Sequence, residues 1–148
     1  MSTSFIQISD CHIDDEILVM GVDSTANLNH VLSDIKNGEF DALLISGDLT
    51  HNGTPSSYKK LQKCLAGIDS NIHVMPGNHD DKDNLSATFN TELQMTFQLG
   101  DWQIVTLDSV QTNKVSGLLS KDQLHFLDDT IGNSNAKYIV VCLHHPIV

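Results

Sequence analysis

Four short polar clusters carry the chemistry-competent residues of this sequence. Asp10 and His12 stand in "SDCH", Asp48 in "SGDLT", Asn78, His79 and Asp80 in "PGNHDD", and His144 and His145 in "LHHP". Carboxylate, amide and imidazole donors without thiolates suit Mn, Fe, Zn, Co or Mg rather than a structural zinc site. Asp10 and His12 are two residues apart, so in extended backbone their side chains point to the same side and can meet one ion. Asp48 is suited to bridge two ions. Asn78 is neutral and ligates without adding charge to an anionic site. Gly47 and Gly77 allow sharp turns beside these groups.

The spacing of apolar residues predicts the elements that must position the clusters. "SFIQIS", "ALLIS", "IHVMP" and "YIVVCL" read as short strands, and each runs directly into one cluster. Leu28, Val31, Leu32 and Ile35 form a helical stripe, with Ser24 or Asn27 as cap and Gly38 near its end. Tyr58, Leu61, Leu65 and Ile68 form a second. "MTFQLGDWQIVTLD" alternates around Gly100-Asp101, a hairpin signal. "SKDQLHFLDDTIG" opens with Ser120 and Gln123 at capping-box spacing and closes on Gly132. The order β-α-β-α-β, hairpin, α-β predicts an α/β domain with a mainly parallel sheet and helices on its faces. Ligands of such sheets gather beyond the C-terminal ends of the strands, which is where all four clusters fall.

Taken singly, each cluster has an ordinary explanation. Asp after a strand is usually a turn residue or helix cap, and a His pair is usually surface or satisfied core. Independent turn chemistry rarely supplies such groups at four successive strand ends, so the joint pattern argues for one site. His30, His73 and His125 read as packing or surface residues, while His51, just after "GDLT", is open between surface and site.

Two cations roughly 3.5–4 Å apart in such a cluster would clamp a phosphate and lower the pKa of a bridging water, and the resulting hydroxide attacks phosphorus in line. His79 is suited to protonate the leaving oxygen or stabilise charge on the phosphate. Asp80 or another carboxylate would orient its ring.

Composition narrows the partners. The 148 residues carry 8 Lys plus Arg against 19 Asp plus Glu, a formal charge of −11. That surface repels phosphate polymers and anionic membranes; a small anionic substrate binds where cations reverse the sign locally. Cys11, Cys64 and Cys142 have no C-x-x-C spacing and fit free thiols in a reducing compartment. The N-terminal "MSTSFIQISDCH" lacks the features of a signal peptide, and no run is long enough to span a membrane, so a cytoplasmic location is expected.

Asp10-x-His12, Gly47-Asp48, Gly77-Asn78-His79-Asp80 and His144-His145-Pro146 resemble the motifs of calcineurin-like metallophosphoesterases. Within them, "QISDCHI", "GDLTHNGTPSSYKKL", "MPGNHDD", "WQIVTLDS" and "GLLSKDQLHFLDDTI" are similar to bacterial class III 3′,5′-cyclic-AMP phosphodiesterases. The resemblance implies a β-sandwich flanked by helices (αββα), with metals where the two sheets meet. It implies two divalent or trivalent ions: Asp10 and His12 on the first, Asp48 bridging, Asn78 and His144 on the second, and His79 as the catalytic non-ligand. It implies no metal role for His145. The family pattern continues into a Gly-His-x-His motif whose histidines each complete one metal site, and this sequence contains none. The chain therefore reads as a single domain over 1–148, cut at its C-terminal side, with weak or no activity by itself.

The resulting expectation is a metal-dependent phosphodiesterase acting on a cyclic nucleotide, with 3′,5′-cyclic AMP first. The same motifs also serve phosphomonoesterases, nucleotidases and pyrophosphohydrolases, and the missing histidines favour a non-catalytic metal-binding fragment as a different class. The charge disfavours a nuclease. A Rossmann dehydrogenase is excluded because Asp10 and His12, not G-x-G-x-x-G, follow the first strand.

Overall fold

The computed structural model describes residues 3–93 and 95–146; the first two residues of the N-terminal segment read above and the last two of "LHHPIV" lie outside it. Ten elements follow in order: β1 (Phe5–Ile8), α1 (Ser24–Ile35), β2 (Ala42–Ser46), α2 (Pro55–Leu65), β3 (Asn71–Met75), α3 (Lys82–Phe89), β4 (Met95–Leu99), β5 (Trp102–Thr106), α4 (Lys121–Gly132) and β6 (Tyr138–Cys142). Helix α3 was not expected. It is short and polar, with Leu85 its one buried residue, so it carries no apolar stripe; Asp81 caps its start and left-handed Asn90 its end.

The expected single, mainly parallel sheet is two sheets. β1, β2 and β3 form a parallel sheet in chain order. β5 lies between antiparallel β4 and parallel β6 in the second. This is the two-sheet arrangement the resemblance implied. Strand β2 explains the layering, since all five of its residues are buried. Leu43 and Ile45 join Leu28, Leu32, Tyr58, Leu61 and Leu65 in the core beneath α1 and α2. Their alternating neighbours face the other way. At that second interface His73 of β3 stacks on Phe97 of β4, ring centroids 3.6 Å apart and nearly coplanar, so His73 is a packing residue as expected.

Local signals hold with small shifts. Asp23, rather than Ser24 or Asn27, caps α1 by accepting from Ala26 N at 2.8 Å. This frees the Ser24 hydroxyl to donate to the His12 carbonyl at 2.9 Å. Val31 of the expected stripe is 44% exposed and lies outside the core. Ser120 caps α4, but the Gln123 amide oxygen accepts from Asp108 N at 2.9 Å, tying α4 to the end of β5. Among the described residues β6 is a sheet edge, and although its sequence is fully apolar Tyr138 and Val141 are exposed. The three cysteines are free, and His30 and His125 are exposed.

Tyr58 links α2 to the β3–α3 loop. Its buried hydroxyl donates to Asp80 Oδ1 at 2.9 Å and accepts from Asp81 N at 3.0 Å. Removing it in Tyr58→Phe leaves Asp81 N without its partner and takes one donor from Asp80 Oδ1, which keeps Thr50 N, and urea unfolding is expected to show a loss of about 1–3 kcal/mol. Stability within a few tenths of wild type would contradict this role.

Candidate metal centre

Beyond β1 and β2 the two loops stay zipped together. Asp10 N donates to Gly47 O at 3.0 Å, His12 N to Asp48 O at 3.0 Å and Ile13 N to Leu49 O at 3.1 Å, before His51 N returns a bond to Ile13 O at 3.0 Å. Asp10 (φ 56°), His12 (φ 43°) and Asp48 (φ 48°) all adopt left-handed backbone, which side-chain-bearing residues rarely do. Asp10 and His12 therefore do not meet through extended alternation. They converge all the same, with Asp10 Oδ1 4.0 Å from His12 Nε2.

Asp48, 5% exposed, is the focus. Its Oδ2 lies 3.7 Å from His12 Nε2 and its Oδ1 3.5 Å from His144 Nε2. One carboxylate thus presents one oxygen to an imidazole from each sheet. The His79 backbone N–H donates to Oδ1 at 2.9 Å. Burial alone pushes the Asp48 carboxyl up, but the facing His144 ring and the His79 N–H outweigh it and hold it below the ordinary carboxylate range.

Two glycines make the room, for different reasons. Gly47 has a φ of +95°, and a Cβ there would strike the His144 ring. Gly77 needs no left-handed turn; its absent side chain leaves the space that Asp48 fills. His144 Nδ1 is 3.0 Å from Ser46 O. A carbonyl only accepts, so Nδ1 carries a proton, and Nε2 is the nitrogen aimed at Asp48. The Asp48 carboxylate raises the His144 imidazole to about 9, against the effect of its burial.

His79 is oriented by an unexpected partner. Its Nδ1 donates to the His51 carbonyl oxygen at 3.0 Å, leaving Nε2 free. Asp80, the expected orienting carboxylate, is engaged elsewhere. It accepts from Leu49 N (3.0 Å), Thr50 N (3.1 Å), Gly77 N (2.9 Å) and the Tyr58 hydroxyl, clamping the loops after β2 and β3 to each other and to α2. His51 enters the site with its own ring as well. It stacks on His79 with centroids 5.0 Å apart, and His12 stands edge-on to both. Burial and the two neighbouring imidazoles hold His12 below the usual histidine range, despite Asp48 and Asp10. Asn78 and His79 face a cleft shared with Gln111 and Lys114. His145 turns to the second sheet: it is buried, and its Nδ1 lies 2.8 Å from Ser109 Oγ.

The donor set fits a cation. The imidazole–carboxylate separations of 3.5–4.0 Å exceed hydrogen-bond range. Donors sharing an ion at ~2.0–2.2 Å each stand roughly 3–4 Å apart. Among the described residues, metal-competent atoms lie within 4.8 Å of one another in each of two groups: Asp10 with Asp48 and His144, and His12 with His51 and His79. This grouping places Asp10 with His144, whereas the expectation paired Asp10 with His12.

Residues 3–148 match the family described as calcineurin-like phosphoesterase. The chain belongs to that family. It is 50% identical, over all of its 148 residues, to a protein of Vesicomyosocius okutanii named "Probable cyclic nucleotide phosphodiesterase", of which it spans 64%. It is 30% identical to the Haemophilus influenzae 3′,5′-cyclic adenosine monophosphate phosphodiesterase CpdA over 97% of this chain and 55% of that protein. The fold matches a dimetal phosphatase structure from Danio rerio with a TM-score of 0.75 at 13% identity, covering 97% of this chain and 70% of that one. The chain thus spans between 55% and 64% of the length of these two curated relatives. Among the described residues of this family member, no helix is long and apolar enough to cross a membrane.

The raised His144 gives a pH signature in metal-free protein. A histidine whose folded pKa lies above its ordinary 6.5 stabilises the fold fully below 6.5, and the stabilisation is lost as pH rises through about 9. Thermal melts of chelator-treated protein are expected to fall across pH 6.5–9, and His144→Gln to flatten that decline. A decline of equal size in the variant would refute the assignment.

Proposed function

We propose that this chain forms the larger part of a metal-dependent phosphodiesterase that hydrolyses a cyclic nucleotide, with 3′,5′-cyclic AMP as the first candidate. The observation that carries the reading is Asp48, with one oxygen toward His12 and the other toward His144 at 3.7 and 3.5 Å. A bridging carboxylate needs that geometry. The 50% identity to a relative named for cyclic nucleotide hydrolysis supports the substrate class.

Asp10, His12, Asp48, Asn78 and His144 are the proposed ligands of two ions, and His51 is added as an imidazole facing the same centre. Bound cations would supply Lewis acidity toward the phosphoryl oxygens and acidify water. The chain's own residues do the rest. Fixing Nδ1–H on Ser46 O keeps the His144 Nε2 lone pair toward the centre. The Asp10 and Asp48 carboxylates repel an anionic substrate unless their charge is balanced, so phosphoester binding depends on the metal. Hydrolysis adds water across one P–O bond, and the departing oxygen must gain a proton. His79, its Nδ1–H held by the His51 carbonyl, would supply that proton from Nε2–H in its doubly protonated form and be left as the neutral ring.

A second reading, phosphomonoester or pyrophosphate hydrolysis, uses the same centre. The test is a panel of 3′,5′-cyclic AMP, an aryl phosphodiester, an aryl phosphomonoester and pyrophosphate. It would use this chain alone and joined to the part of the Vesicomyosocius relative that it does not span. Diester and cyclic nucleotide turnover is expected to lead; a clear preference for the monoester or pyrophosphate would transfer the assignment to the second reading. Bound metal with no turnover in either form would sink both readings and leave a metal-binding domain. In the active form, His79→Asn is expected to lower kcat by about 10²–10⁴ with metal content unchanged. Metal loss in that variant would make His79 a ligand instead.

A further inference from the structure

We propose that a recess beside the metal centre, between the Val19–Val22 turn and the imidazoles of His12, His51 and His79, receives the organic group of the phosphoester, a flat aromatic heterocycle such as a nucleobase. The inference rests on the phosphodiesterase reading above and names where its specificity lies.

The recess has a volume of about 320 Å³ and is lined by His12, Val19, Met20, Val22, His51 and His79. Its outer wall is an exposed apolar tip on an otherwise acidic protein: Met20 is 90% exposed and Val22 50%. The tip is braced. Val19 and Val22 exchange two backbone hydrogen bonds of 2.9 Å, and Met20 (φ 49°) and Gly21 (φ +84°) occupy the two left-handed positions of a tight turn. A large apolar side chain held out at such a turn gains nothing in the core.

The inner wall is three aromatic rings. His51 and His79 stack at 5.0 Å and 20°, and His12 meets His79 edge-on at 4.9 Å and 86°. Ring faces and aliphatic side chains together suit a flat heterocycle. His12 and His79 also belong to the proposed phosphate end, so a ligand held there by its phosphate has its organic group beside this recess. The other cleft at His79 sets Val110 and Val115 among Lys82, Asp83, Gln111 and Lys114 and brings no second aromatic ring beside His79.

The test compares methyl phosphate with adenosine 5′-monophosphate, two phosphate monoesters that differ only in the organic group. Both are titrated into manganese-loaded chain by calorimetry. The nucleotide is expected to bind about tenfold more tightly, the scale of one base stacked on aromatic side chains. The double variant Met20→Asn, Val22→Thr keeps the turn, since Asn tolerates left-handed backbone, and changes only exposed side chains. It is expected to abolish the advantage while leaving methyl phosphate binding unchanged. Equal affinity of wild type for both ligands would overturn the inference and leave the phosphoesterase reading standing, as would an advantage that survives the double variant. Failure of wild type to bind methyl phosphate would overturn both.

Discussion

A buried carboxylate organises the head of this molecule. Asp48 is almost fully enclosed, sits at the end of the central strand of the parallel sheet, and faces imidazoles delivered by both sheets. An isolated charge in that position is costly. It persists because the His79 N–H bonds it and because cationic partners can be placed on either side. Remove the negative charge and the reason for His12, His144 and Gly77 to converge there disappears.

The surrounding backbone is strained to serve that placement. Asp10, His12 and Asp48 hold left-handed conformations that cost of order 1–3 kcal/mol each. Such conformations persist only where neighbours over-determine them. Here the neighbours are the inter-loop hydrogen bonds that extend the β1–β2 ladder and the Asp80 carboxylate, which gathers N–H groups from the β2 and β3 loops. Burial raises Asp80 above the usual carboxylate range in spite of those donors, consistent with a structural clamp. Rigid loops of this kind suit a centre whose donors must stand within a narrow range of separations.

Division of labour among the histidines follows from what their second nitrogens touch. His144 and His79 each spend Nδ1–H on a backbone carbonyl and keep Nε2 for the site. His145, adjacent in sequence to His144, spends Nδ1 on Ser109 and packs into the second sheet. His73 stacks on Phe97 between the sheets. His144, His79 and His145 thus take different surroundings according to what each Nδ1 touches, and His73 is placed by ring stacking.

Much of this was legible in the sequence. The six strands, α1 and α2 follow from apolar periodicity, because burial of one face imposes a period that local residues must obey; α4, which buries no residue, follows from its Ser120 cap and closing Gly132 instead. That Asp10, His12, Asp48, His79 and His144 lie in one neighbourhood was foreseeable because each follows a strand, and strand ends of a layered sheet converge. What the sequence did not contain was the pairing that depends on distant chain. It did not divide the strands between two sheets, since β6 is as apolar as a strand of the first sheet, and only packing sends it beside β5. It left His51 ambiguous, because its ring enters the site through a loop bond between His51 N and Ile13 O. It misassigned Asp80, whose partners lie about 30 residues away in Leu49 and Thr50. Residue type and spacing determined which groups were available for chemistry; the tertiary structure alone decided which of them face one another, because that choice rests on hydrogen bonds and buried contacts between segments remote in the chain.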